Sequence, residues 1–399
     1  MVSLLLAVIY AAFISLGLPD ALLGAAWPIM HTQMNVPLSY AGIVTFTIAM
    51  GTVVSALLSD RLTLKLGAGK VTALSVSLTA LALLGFSVSD RYWMLLLFAI
   101  PYGLGAGSVD AALNNYVALH YSSRHMSWLH CMWGVGCSIV PSIMGWALAG
   151  NGANWPLGYR VVGLMQLALT ATMLISLPLW KGRSGQPQAK EKAVSVRPMA
   201  ISELIRLRGA KEIMVTFFCY CALESTAGLW ASSYLVFHHG LDKETAAACA
   251  ALFYIGITAG RALNGFIAER FSDTVLTRAG FVIMGLGVIV LLIPLGKIAA
   301  MAGLVILGMG CAPTYPCIIH ATPIRFGREK SQAFIGVQMA SAYMGTTLMP
   351  PLFGLIANHI SVGLYPAYMT AILLLMVLMH ERVVRATEGS SPPVSRVGN

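Results

Sequence analysis

The chain is short of charge. Only 10% of its 399 residues are Asp, Glu, Lys or Arg, against 57% hydrophobic residues and a mean hydropathy of +0.77. That is too little polar surface to clothe a water-soluble globule of this length, so a bilayer is the fitting solvent. Signatures of bond-making chemistry are missing too. No HExxH and no nucleophile elbow occurs, and the seven cysteines form no CxxC pair, which removes a zinc site and a disulfide framework. "KLGAGKV" has Leu64 where a phosphate loop needs Gly and Val71 where it needs a hydroxyl. "GLGAGS" at Gly103 has Ser108 where a dinucleotide fingerprint needs Gly, and close helix packing explains it better. No metal, cofactor or enzymatic activity is expected, and any pumping must draw on an ion gradient.

What the chain does have is hydrocarbon. Twelve apolar stretches of spanning length run over approximately 3–30, 38–60, 70–88, 92–119, 125–150, 158–180, 211–238, 245–270, 275–294, 297–323, 331–358 and 362–381. The first lacks the positive flank of a signal peptide and reads as a retained helix. Strand alternation is absent, so helices are how these segments satisfy their backbones in lipid. The expected fold is all-α and polytopic.

Of 25 Lys and Arg, 20 fall on one side of this layout and four on the other, with Arg261 inside a span. The positive-inside bias puts both termini and the long central loop in the cytoplasm, and it accounts for the net charge of +10 without a nucleic-acid partner. Residues 1–180 are expected to form one six-helix bundle, 181–210 a cytoplasmic linker ending in the amphipathic "MAISELIRLR", 211–381 a second bundle and 382–399 a tail.

The halves read as copies. Asp20 and Gly24 match Glu224 and Gly228; Gly51, Asp60 and Arg61 match Gly260, Glu269 and Arg270; Gly103 and Gly105 match Gly308 and Gly310; Gly136, Pro141 and Gly145 match Gly345, Pro350 and Gly354. Four blocks in order at nearly constant spacing indicate two parallel six-helix repeats. On these residues the chain resembles the major facilitator superfamily, whose loop two-to-three signature is similar to "SALLSDRLTLKLGAGK". The acid in the first helix, "GLGAGSVDAALNNYV" and "SWLHCMWGVGCSIVP" are similar to the fucose/proton symporter family and its relatives. The resemblance implies alternating access, with Asp60, Arg61, Glu269 and Arg270 as a conformational gate. It also implies a monomer in the inner (plasma) membrane.

Three acids, Asp20, Asp110 and Glu224, fall inside spans. Each costs on the order of 3 kcal/mol at a helix centre, so each should face a cavity or a partner. By the repeat, Asp20 and Glu224 are expected across the cavity between the halves, where Asp20 binds a proton, the substrate, or both in turn. The alternative is a structural bond to backbone opened by Pro19, whose ring removes the bond to the Ser15 carbonyl. Glu224 has two readings, a coupling or substrate role and a fixed ion pair with Arg261 on the next helix. Asp110, with Asn114 and His130 at similar depth, forms either a proton relay or a static polar network. In the resembled symporters the acids of helices one and four are the coupling pair, which implies Asp20 and Asp110.

Aromatic faces beside amides and acids suit a sugar, whose C–H face stacks while its hydroxyls take hydrogen bonds. Trp27, Trp133, Trp230, Tyr315 and Gln338 join Asp20, Asn114, Glu224 and Arg261 as candidate substrate contacts. The expected function is proton-coupled symport of a small polar solute such as a monosaccharide. The alternative is a proton-driven exporter, although its usual adjoining Gly and Pro in helix five stand apart here as Gly136 and Pro141.

Overall fold

The computed structural model describes residues 4–20, 22–37, 40–149, 154–181, 199–241, 243–293 and 296–387. The first half of the expected linker, 182–198, and the end of the tail, 388–399, lie outside the described residues, as does the side chain of Pro141. Every long element is a helix. In order they are α1 (Leu4–Asp20), α2 (Leu22–Gln33), α3 (Ala41–Leu66), α4 (Ala68–Ser87), α5 (Tyr92–His120), α6 (Ser123–Ala149) and α7 (Trp155–Lys181). A single turn, α8 (Ile201–Leu204), precedes α9 (Ala210–Phe237), α10 (Lys243–Ile267), α11 (Asp273–Leu292), α12 (Lys297–Phe326), α13 (Ser331–His359) and α14 (Tyr365–Thr387).

Among the described residues ten segments are long and apolar enough to cross a membrane, with α1 and the start of α2 counted as one, Leu4–Trp27. The remaining two long helices, α10 and α13, match them in length and carry Arg261 and Asn264 on one and Gln332, Gln338 and Asn358 on the other. Large apolar side chains stay exposed around both halves, among them Phe46, Leu81, Trp146, Leu229, Phe266 and Val282. A belt of that size needs lipid against it.

Three boundaries differ most from the sequence expectation, one of them the last: α14 runs to Thr387, six residues into the expected tail. The second helix continues six residues beyond the expected end, through Arg61 and Lys65, and turns at Gly67 alone, whose φ of 81° suits a residue without Cβ. The amphipathic segment before α9 is helical only over Ile201–Leu204, with Leu204 its one buried side chain. Left-handed Gly209 then separates it from α9.

The chain clusters into two compact units, Met1–Tyr116 with Leu129–Pro198, and Val117–Trp128 with Met199–Asn399. Within the first, Gly51 and Gly103 bring α3 against α5, and Gly17 and Gly136 bring α1 against α6 so closely that a Cβ on either would overlap the facing backbone. Within the second, Gly260 and Gly308 join α10 to α12, and Gly345 meets Phe218 backbone on α9. The repeated glycines thus mark equivalent helix contacts in each unit.

Candidate functional site

The close approach of α1 and α6 is what builds the site around Asp20. Gly17 sits one turn before Asp20 and packs on the carbonyl of Trp133, so the indole reaches the acid. Trp133 Nε1 donates to Asp20 Oδ2 at 3.0 Å, and Tyr102 of α5 donates its hydroxyl to Oδ1 at 3.2 Å. Tyr102 is buried, Trp133 is half-buried and Asp20 itself is exposed. Among the described residues no basic side chain pairs with it. The backbone role weighed for Asp20 is filled elsewhere, because the Ser15 carbonyl left free by Pro19 accepts from Gln166 Nε2 of α7 at 2.8 Å.

Lower on α5, Asn114 Nδ2 donates to Asp110 Oδ1 at 2.8 Å, and His130 Nε2 lies 3.0 Å from Asn114 Oδ1. The expected acid–histidine pair is therefore joined through an amide. Since that amide donates to Asp110, its oxygen accepts from His130, and the imidazole is also packed edge-on by Phe13 at 5.3 Å. All three polar residues are buried. The arrangement is a chain of hydrogen bonds from α6 to α5, with an amide in the middle that does not itself exchange protons readily.

In the second unit Arg261 Nη2 meets Glu224 Oε1 at 3.3 Å, the guanidinium 4% exposed and the glutamate half-buried. Of the two readings of Glu224, the ion pair is the one the geometry contains. Tyr220 of α9 donates to the Cys311 carbonyl at 3.1 Å, and its ring lies 5.7 Å from that of Tyr315. Tyr315 points its hydroxyl at Met339 Sδ, 3.0 Å away.

Other candidate contacts are occupied internally. Trp27 is buried in the core of the first unit beside His31 and Tyr92. Trp230 Nε1 donates to the Pro350 carbonyl at 2.9 Å and the ring packs on Phe353. Gln338 is fully buried and exchanges hydrogen bonds with Thr322 at 3.1 and 3.2 Å. These three stabilise helix packing as they stand. Of the expected gate residues, Glu269 pairs with Arg124 at 3.5 Å, Asp60 is half-buried, and Arg61 and Arg270 are exposed.

Sequence reasoning missed Tyr102, Gln166, Asp273 and His320. Tyr102 stands between Pro101 and the quoted helix-four block, which begins at Gly103, and Gln166 is the only amide in its span, which was a usable signal. Asp273 falls just outside the span 275–294 read from the sequence.

Helical spans with embedded, hydrogen-bonded acids are what a membrane transporter places along its pathway. The sequence profile of the Major Facilitator Superfamily matches residues 9–339, and 213–397 in a second alignment. The chain belongs to that superfamily. It is 22% identical over 385 residues to Bypass of stop codon protein 6 of Saccharomyces cerevisiae, covering 89% of this chain and 77% of that one. It is also 22% identical over 398 residues to the glucose/mannose transporter GlcP of Bacillus subtilis, covering 96% and 95%. Among solved structures, the proton:xylose symporter XylE superposes with a TM-score of 0.79 at 13% identity over 97% of this chain and 98% of that one. The Escherichia coli fucose:proton symporter FucP does so at 0.69 and 16% over 94% and 98%. These likenesses are of fold, the all-α, twelve-helix polytopic one.

Proposed function

We propose that this superfamily transporter is a symporter that moves a proton together with a small polar solute such as a monosaccharide, by alternating access of two six-helix halves. The observation that carries the reading is the environment of Asp20. Both carboxylate oxygens meet neutral donors, so taking up a proton strands no buried counter-charge. Asp110 is the second coupling candidate, its carboxylate bonded by neutral Asn114. Glu224 serves as the fixed member, since protonating it would remove the carboxylate charge that buried Arg261 meets at 3.3 Å. A sugar fits the neutral, aromatic surroundings of Trp133 and Tyr102, and the glucose/mannose, xylose and fucose transporters among the similar proteins support that class. The positive-inside bias supports cytoplasmic termini in a plasma membrane.

The test is reconstitution in vesicles holding a pH-sensitive dye, challenged with sugars, sugar acids, amino acids and lipophilic cations. Proton entry on adding a single sugar outside establishes symport and its substrate. Proton movement against a lipophilic cation instead replaces the symporter by an exporter.

A further inference from the structure

A second titratable cluster lies in the second unit, away from the embedded acids. Asp273 opens α11 and His320 lies on α12, with His320 Nδ1 2.6 Å from Asp273 Oδ2. Ser123 at the start of α6 donates its hydroxyl to Asp273 Oδ1 at 2.5 Å. The other ring nitrogen, Nε2, lies 3.1 Å from the backbone carbonyl oxygen of Tyr121, in the turn between α5 and α6. The His320 and Asp273 side chains are only 15% and 11% exposed.

Counting protons decides what this geometry requires. A neutral imidazole has one N–H and one lone pair. Beside an ionised Asp273, the Nδ1–H tautomer would turn its lone pair on the Tyr121 carbonyl, and the Nε2–H tautomer would turn it on the carboxylate. Both contacts are favourable together only when the pair holds one proton more. That state is either imidazolium beside carboxylate or imidazole accepting from a carboxylic acid, and the two hold the same number of protons.

We propose that Asp273 and His320 form a proton-binding site distinct from Asp20 and Asp110, in which one shared proton clasps the Tyr121 turn to α11 and α12. When that proton leaves, one N–H must serve two acceptors. The charge-assisted bond to the carboxylate is the stronger, so the ring keeps its hydrogen towards Asp273 and the Tyr121 contact is released. The clasp is therefore closed at low pH and loosens as pH rises. The surrounding elements carry further titratable or charged groups: Cys317 on α12, Tyr121 and His125, whose rings are 5.6 Å apart, and Arg124, paired with Glu269 beyond α10. Arg328 adds a permanent charge, donating to the Leu119 carbonyl at 2.8 Å. His120, which ends α5, and His125 are the other imidazoles at this turn and are the competitors to separate from His320. On the orientation proposed above, this end of the protein faces the cytoplasm and the site reads cytosolic pH.

Hydrogen–deuterium exchange of the full chain in lipid nanodiscs tests the clasp without measuring transport, so its failure is separable from failure of the symport reading. Peptides covering 117–128 are followed from about pH 5.5 to about pH 9 and corrected for intrinsic exchange. Protection is expected to fall on the order of tenfold through one single-proton transition, as loss of a charge-assisted bond implies. His320→Gln keeps a donor but cannot titrate, and should give a flat profile; His120→Gln and His125→Gln should each keep the transition. A flat profile in the native chain, a transition surviving His320→Gln, or one abolished by His120→Gln or His125→Gln overturns the proposal.

Discussion

Asp20 and Glu224 stand at matching places in the two repeats, yet the two units hold them differently. Asp20 has a phenol and an indole, both neutral; Glu224 has a guanidinium that is 4% exposed. A neutral donor can bond either form of a carboxyl group, while a buried guanidinium without its partner is costly. Each half of the sequence thus carries an acid at a matching place, and the neighbours differ: neutral donors meet Asp20, and a cation meets Glu224. The comparison teaches that an embedded acid is to be judged by its donors rather than by its depth.

Asp20→Asn is the hardest blow to this reading. Uphill accumulation of solute should drop to background, with exchange between equal pools retained, because the amide keeps the shape but cannot carry a proton. Counterflow and gradient-driven uptake in the same vesicles separate the two activities. Undiminished accumulation would sink the assignment.

Arg261→Met tests the locked side. Removing one partner of a buried pair typically costs about 3–5 kcal/mol, so thermal unfolding in detergent should shift strongly downward. Adding Glu224→Gln should recover most of the loss, since no charge is then left alone. If the double variant is as unstable as the single, the pair is not what holds α9 to α10.

Gln166→Leu has a smaller effect and sharpens what surrounds Asp20. It strands the Ser15 carbonyl at a cost of about 1–3 kcal/mol. With Pro19→Ala also present, the restored backbone N–H can bond that carbonyl, and the penalty of Gln166→Leu should shrink. An unchanged penalty would show that the amide acts elsewhere, as through its 3.4 Å contact with Thr79.

Much of this was legible because the bilayer enforces it. Lipid admits only helices or closed barrels, and without strand alternation the apolar runs disclosed helices, while the cost of burying charge singled out Asp20, Asp110, Glu224 and Arg261. Pairing of Glu224 with Arg261 was readable as one of two options because the residues share depth on adjacent helices. The donors to Asp20 were less readable, since which face of α5 or α6 meets α1 depends on glycine packing at Gly17 and Gly136 rather than on any local pattern. Trp27 and Gln338 were listed as substrate contacts, and the structure buries Trp27 in the core of the first unit and bonds Gln338 to Thr322. Asp273 and His320 stayed hidden because an acid at a helix start looks solvated until distant chain is folded onto it.

The smallest effect belongs to an ion pair with better geometry than the embedded one. Arg278 binds Glu381 through two bonds of 2.7 and 2.6 Å, against a single 3.3 Å contact for Arg261 and Glu224. Its side chains are 49% and 30% exposed, where water competes for both charges. Arg278→Gln should therefore cost less than about 1 kcal/mol, and added salt should erase most of that. The same unfolding assay compares it directly with Arg261→Met. If the exposed bidentate pair proved the more costly to break, geometry rather than burial would govern these contacts, and Glu224 would lose its claim to be the fixed charge.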